Sequence, residues 1–294
     1  MAKLNVVVIC SDRKAEVPLA GLQARDLPRV GVAARSSVWR SRLRRTAGVR
    51  ALTDLYRGEG WSVVPALLDA ARRVGFSPRL LVASAGLGLR SAESVAPGYA
   101  ATFAASQADT VCDTSADVRE WWHHLRGAPS ALDPGAELRG RVLLVLSQTY
   151  ASAMQSDLVA LGNRGDDVLL IGGASDIPGI TRLRADRGLR SALGGTATGL
   201  TMRMAQTWLS GLERPALTCP TRMQQWQGWA DTVRRAESWA RQTLDDDEVL
   251  RFIRESRAKE PNLSRTRALR KLRDSGRACE QNRFAALYRR VTQP

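Results

Sequence analysis

The chain has 294 residues, 44% of them hydrophobic, with 44 Lys and Arg against 29 Asp and Glu and a formal net charge of +15. That length supports one large or two ordinary domains with a sizeable core and excludes a disordered chain. The excess of positive charge, carried mostly by arginine, points to a polyanionic partner, nucleic acid first and an acidic membrane surface second, while no apolar run approaches the roughly 18 residues that span a bilayer.

The opening MAKLNVVVIC reads as a strand rather than a signal peptide, which implies a cytoplasmic protein with no membrane partner. Its apolar run Val6-Val7-Val8-Ile9 ends in Cys10 and Ser11. An arginine-rich stretch follows (Arg29, Arg35, Arg40, Arg42, Arg44, Arg45, Arg50) and reads as a basic insert over 27–50. Gly58 and Gly60 precede a helical pattern of Val63, Val64, Leu67, Leu68 and Ala71, stopped by Gly75 and Pro78. Leu80, Leu81 and Val82 then form a second strand ending at Ser84.

Helices are predicted over 100–108 and 116–125, the second with at least one of Trp121 and Trp122 packed inward. A third strand, 142–146, ends at Ser147. A helix over 150–161 leads to a fourth, 168–171, which ends at Gly172 and Gly173. The stretch 188–212 reads as a helix interrupted by Gly194 and Gly195. Short, continuous Val/Ile/Leu runs separated by helices are the signature of a parallel sheet covered on both faces.

Beyond Pro215 the chain turns helical and strongly basic. Asp245 and Glu248 form a capping box, Asn262 or Ser264 caps the next helix, and Ser275-Gly276 breaks it before a last helix with Phe284, Leu287, Tyr288 and Val291 on one face. Two short helices about a glycine turn have the form of a helix-turn-helix or helical hairpin. The fold class is therefore α/β, a mainly parallel sheet with helices on both faces followed by a basic all-helical region. The domains are expected at 1–213 and 214–294. DNA contacts are expected from Arg40, Arg44 and Arg45 in the insert and from Arg267, Arg270, Lys271, Arg277 and Arg283 in the tail.

Cys10, Cys112, Cys219 and Cys279 are scattered, which suggests neither a disulfide framework nor a zinc site, and the neighbours His123 and His124 cannot share a metal as an i, i+4 pair could. No metal or organic cofactor is required. In a parallel sheet the carboxyl ends of the strands line the ligand crevice. There CSDRK (10–14) offers a hydroxyl, a carboxylate and two cations, and ASAGLGL (83–89) offers Ser84 and the close backbone approach of Gly86. Ser147, Gln148 and Tyr150 stand at the third end, where the Gln148 amide suits a nucleobase edge. The dinucleotide fingerprint, the phosphate-loop motif and the GxSxG elbow are absent, which disfavours nicotinamide and nucleoside-triphosphate chemistry. Cys10 is either a nucleophile or a small core residue.

The series CSDRK, ARDL (24–27) with DLYRGEGW (54–61), ASAGLGL and APGYAATF (96–103) resembles the YaaA-like family and related domains attached to archaeosine and other tRNA-guanine transglycosylases. ARDL and DLYRG look like a single stretch in those relatives, opened here by the insert, so either Asp26 or Asp54 corresponds to the family aspartate. The architecture also resembles bacterial anti-phage DNA glycosylases that remove glucosylated hydroxymethylcytosine. The resemblance implies an N-glycosylase that flips a modified base out of double-stranded phage DNA and hydrolyses its glycosidic bond.

Under that reading Asp12, Asp54 and Lys14 are the candidate catalytic groups, a carboxylate stabilising oxocarbenium-like charge or activating water. Cys10, Ser11, Arg13, Asp26, Ser84, Gly86, Ser147, Gln148 and Gly172 would line the substrate site, and Tyr56, Trp61 or Tyr99 would stack on the flipped ring. The alternative is a non-catalytic DNA-binding, genome-protection protein of the same family class. Transglycosylation of tRNA is weaker, because no separate barrel domain is present.

Overall fold

Val6, Val7 and Val8 are fully buried, as is every residue from Val142 to Leu146 and from Val168 to Gly172. Successive strand residues point to opposite faces, so burial of both sets means that both faces of the sheet are covered. The computed structural model describes residues 1–105, 107–235 and 242–292.

In chain order, β1 (Ala2–Ile9) leads through a 3-10 turn to α1 (Val32–Arg44), β2 (Arg50–Ala51), α2 (Leu52–Leu55), α3 (Glu59–Ser62) and α4 (Val64–Arg73). Next come β3 (Phe76–Ser84), β4 (Gly88–Ser91), β5 (Val95–Ala96), α5 (Ser115–His124) and α6 (Pro134–Glu137). The second half of the sheet follows as β6 (Val142–Leu146), α7 (Gln148–Ala153), α8 (Gln155–Gly162), β7 (Val168–Gly172) and β8 (Thr181–Leu183), then α9 (Arg190–Leu193), α10 (Leu200–Ser210) and α11 (Pro220–Val233).

The six-stranded sheet has the order β4-β3-β1-β6-β7-β8, parallel throughout except for β4, which returns antiparallel to β3. The α/β class with a mainly parallel sheet stands. Helices α4 and α10 pack together and against β3, β6 and β7, while α1, α5 and α7 form a second packed group. From β1 the chain crosses to β3 on one side and later to β6 on the other. The sheet therefore has a topological switch point at β1 and β6, where ligands bind in folds of this kind.

Several expectations are corrected. The basic 27–50 stretch forms α1, which joins the core: Trp39 is fully buried and its indole N–H donates to the Gly86 carbonyl at 2.7 Å. No helix forms over the described part of 100–108, because Ala100 bonds to Leu22 on one side and Thr102 to Asp109 and Val111 on the other. The 150–161 helix divides at Met154, and 188–212 divides into α9, a 3-10 turn and α10.

Residues Met1–Arg235 form one compact unit and Ala236–Pro294 the second. The expected boundary at 213 is thus too early, because α11 packs on the first unit, with Trp226 edge-on to Trp208 at 5.8 Å. The second unit holds β9 (Gln242–Thr243), α12 (Asp246–Lys259), α13 (Arg265–Asp274), β10 (Arg277–Ala278) and α14 (Gln281–Thr292) around Val249, Ile253, Leu272 and Phe284. Among its described residues the regular structure is helical apart from the short parallel β9/β10 pair. Its capping box at Asp245 and Glu248 is present, and Ser264 rather than Asn262 caps α13.

Candidate functional site

The switch point is bridged by side chains from both of its strands. Cys10, immediately after β1, places Sγ 3.0 Å from the hydroxyl of Tyr150 on α7, which Ser147 caps at the end of β6. The same hydroxyl accepts the N–H of Ala85 after β3. The carboxyl ends of three neighbouring strands are thereby joined through one phenol.

A second chain of hydroxyls runs beside it. Ser84 Oγ accepts the N–H groups of Gly86 and Leu87 at 3.2 and 3.1 Å and lies 2.6 Å from the Tyr99 hydroxyl. With both lone pairs of Ser84 occupied, its proton goes to Tyr99. The Tyr99 hydroxyl in turn lies 2.7 Å from that of Tyr56. Burial pushes the Tyr56, Tyr99 and Tyr150 phenols well above their ordinary range, so they act as neutral hydrogen-bonding groups.

Lys14 sits over this layer. Its backbone pairs with Tyr56, and the N–H of Arg57 donates to the Arg13 carbonyl, so the CSDRK turn is pinned along the DLYRG segment. Lys14 Nζ donates to the Ser11 carbonyl at 3.0 Å and lies 4.3 Å from the Tyr99 ring centroid. Burial lowers the ammonium's pKa from its ordinary value, against the opposing pull of Cys10, Asp12 and Asp109.

All four sequence motifs converge here, but not every residue serves as expected. Cys10, Ser11, Lys14 and Ser147 are half-buried, and Asp12, Arg13 and Gln148 are exposed around them. Gln148 occupies the first turn of α7. Ser84 and Gly86 are wholly buried and their polar groups already paired, so they build the floor instead of touching a ligand. A Cβ on Gly86 would come within 2.5 Å of the Tyr99 ring. Gly172, at a φ of +97°, lies against the Leu146 carbonyl and is likewise closed.

The stacking role given to Tyr56, Tyr99 and Trp61 is corrected. Their exposures are 1%, 0% and 8%, and the Trp61 indole N–H is held by the Ile9 carbonyl at 3.1 Å, so no ring face is open to a base. Asp54 on α2 and Asp26 in the 3-10 turn are both exposed, and the carboxylates acting on Lys14 are Asp12 and Asp109.

Asp109 escaped sequence reasoning. It is 9% exposed and accepts Arg25 Nε at 2.8 Å and the Arg25 N–H at 3.2 Å, an ion pair that holds its carboxyl below the usual range. Nothing in its polar, patternless surroundings or in the 84-residue separation from Arg25 marks it. Arg90 on β4 was missed too: it is 4% exposed, its Nε has no hydrogen-bond partner, and its charge acts on Tyr56. Glu59, beside Gly58, accepts Arg203 Nε at 2.8 Å and the Thr196 hydroxyl at 2.8 Å, tying the Gly194–Gly195 loop next to the end of β1.

Of the expected DNA contacts, Arg44 and Arg45 are exposed at the end of α1, whereas Arg40 is half-buried and donates to the Ser36 carbonyl. Arg267 and Lys271 pair with Glu260, Arg270 with Asp274, and Arg277 lies over Phe252. Arg283 is committed to structure, bonding Asp246 and the Leu244 carbonyl. Among the described residues no helix is long and apolar enough to cross a membrane, and no group of three or more His, Cys, Asp or Glu gathers to hold a metal ion. No protein-family model, curated protein or solved structure matches the chain.

Proposed function

We propose that the protein is a DNA N-glycosylase that excises a modified base, of the glucosylated hydroxymethylcytosine type, from double-stranded phage DNA and leaves an abasic site in anti-phage defence. The observation that carries this reading is the Lys14 ammonium, half-buried at the sheet's switch point with the Asp12 and Asp109 carboxylates acting on it. As the glycosidic C–N bond breaks, Lys14 gives a proton to the departing base. Water adds to C1′ with its proton passing to Asp12, whose charge also stabilises the oxocarbenium-like sugar. Gln148, exposed beside them, has the amide geometry to read a base edge.

Flipping a nucleotide costs a few kcal/mol, and a chain of net charge +15 offsets part of that through phosphate contacts. On this reading the protein works in the cytoplasm. No cofactor enters the scheme. The buried tyrosines beneath Lys14 favour a second reading, a non-catalytic DNA-binding protein of the genome-protection class, because they fill the layer a deep base pocket would occupy. Incubation of the full chain with ordinary and glucosylated DNA, scored for abasic sites, separates the two: release from glucosylated DNA supports the glycosylase, and tight binding with no release supports the second reading.

A further inference from the structure

Where the chain leaves β8 at the carboxyl edge of the sheet, a groove of about 550 Å³ opens between the segment after Leu183 and α11. Arg182, Arg184, Arg187 and Arg234 line it, with Asp186 the one carboxylate among the described lining residues and Trp226 on its wall. Acids hold three of these guanidiniums in place, and of the three Arg182 is 9% exposed and turned to the Gly172 carbonyl, which leaves Arg184 and Arg234 facing the groove. Asp176 accepts from both Arg182 and Arg184, the latter at 2.9 Å, and Arg234 donates to Asp186 at 2.7 Å and to Asp231 at 2.6 Å. These pairs hold the Asp176 and Asp231 carboxyls below their usual range. Arg184 nevertheless leaves 74% of its side chain exposed.

We infer that this groove carries the sugar-phosphate backbone of DNA as it runs from the candidate site. The inference rests on the reading of the protein as a DNA glycosylase and fixes where unit one holds its substrate. Planar guanidiniums oriented in advance by carboxylates match phosphate oxygens at little further entropic cost. From β1 to β8 are three strand spacings, about 14 Å at ~4.8 Å each. One strand of B-DNA covers that distance in about four nucleotides at ~3.4 Å per nucleotide. The groove thus lies where the backbone a few nucleotides from a flipped base would pass.

The test is the salt dependence of DNA binding by the full chain carrying Arg184→Ala, Arg184→Glu or Arg184→Lys, with thermal unfolding as the control for folding and base release measured on the same samples. Each lost phosphate contact lowers the slope of log affinity against log salt by about 0.9. The expected result is a drop of that size for the alanine variant, a larger loss of affinity for the glutamate variant and recovery with lysine. Slopes and affinities equal to wild type in all three overturn the inference even if base release persists. A slope change without base release from any DNA leaves the groove standing and overturns the glycosylase reading instead. Unchanged DNA binding together with loss of thermal stabilisation by inorganic phosphate would assign the groove to a small anion and overturn the backbone track.

Discussion

Lys14 Nζ stands 4.3 Å from the centroid of the Tyr99 ring, so the one ammonium at the switch point rests on a buried aromatic face and donates to the Ser11 carbonyl beside it. That placement satisfies the cation while removing much of its water. Three consequences of the surrounding packing and one of the second unit are open to measurement.

Lys14→Met should lower base release by about 10²–10⁴-fold, the range typical of a lost general acid. Because burial lowers the Lys14 pKa, the wild-type rate should fall as pH rises through a value below that of an ordinary lysine. The stability effect has a definite sign. Between the folded and unfolded lysine values the unfolded chain binds more protons, so stability rises with pH across that window, and Lys14→Met should flatten the rise in denaturant unfolding.

Ser84→Ala removes the acceptor of two buried N–H groups and the donor to Tyr99. The variant should lose about 1–3 kcal/mol in urea unfolding. Tyr99→Phe leaves only the Ser84 and Tyr56 hydroxyls short of one partner each and should cost less. Equal stability of both variants with wild type would mean that the hydroxyl chain does not form.

Trp39→Ala tests the status of the 27–50 segment. A fully buried indole bonded to Gly86 predicts a loss of about 3–5 kcal/mol on truncation. Almost no loss would mean that α1 does not pack against the ASAGLGL turn.

Arg270 and Arg283 should behave oppositely, although both lie in the basic tail. Arg270 is 81% exposed with only a 3.8 Å pair to Asp274, so Arg270→Ala should leave unfolding unchanged and lower the DNA salt slope by about 0.9. Arg283 binds Asp246 and the Leu244 carbonyl, so Arg283→Ala should lower the stability of the second unit measurably. Unfolding and binding curves on the full-length variants read both.

The long apolar strands were legible because burial on both faces leaves an unbroken Val/Ile/Leu run, as in 142–146. Short edge strands were not. β4 and β8 are four and three residues long and carry Arg90 and Arg182, charges that mask a strand pattern. Periodicity also misled at 100–108, where Ala100 pairs with the Leu22–Ala24 segment and Thr102 with Asp109 and Val111 instead of with helical neighbours. At the site, CSDRK and ASAGLGL were found from their place after strands. The roles within them needed coordinates: whether a hydroxyl such as Ser84 faces a ligand or caps its own turn depends on which N–H groups lie near it.

Base excision by the groups around Lys14 is read by counting the abasic sites that the full chain, and its Asp12→Asn and Asp54→Asn variants, produce in glucosylated hydroxymethylcytosine DNA. The expected result is release from the glucosylated DNA alone, lost in Asp12→Asn and kept in Asp54→Asn, with DNA binding intact in all three proteins. Release unaffected by Asp12→Asn, or no release from any modified DNA by a protein that binds it tightly, would contradict it.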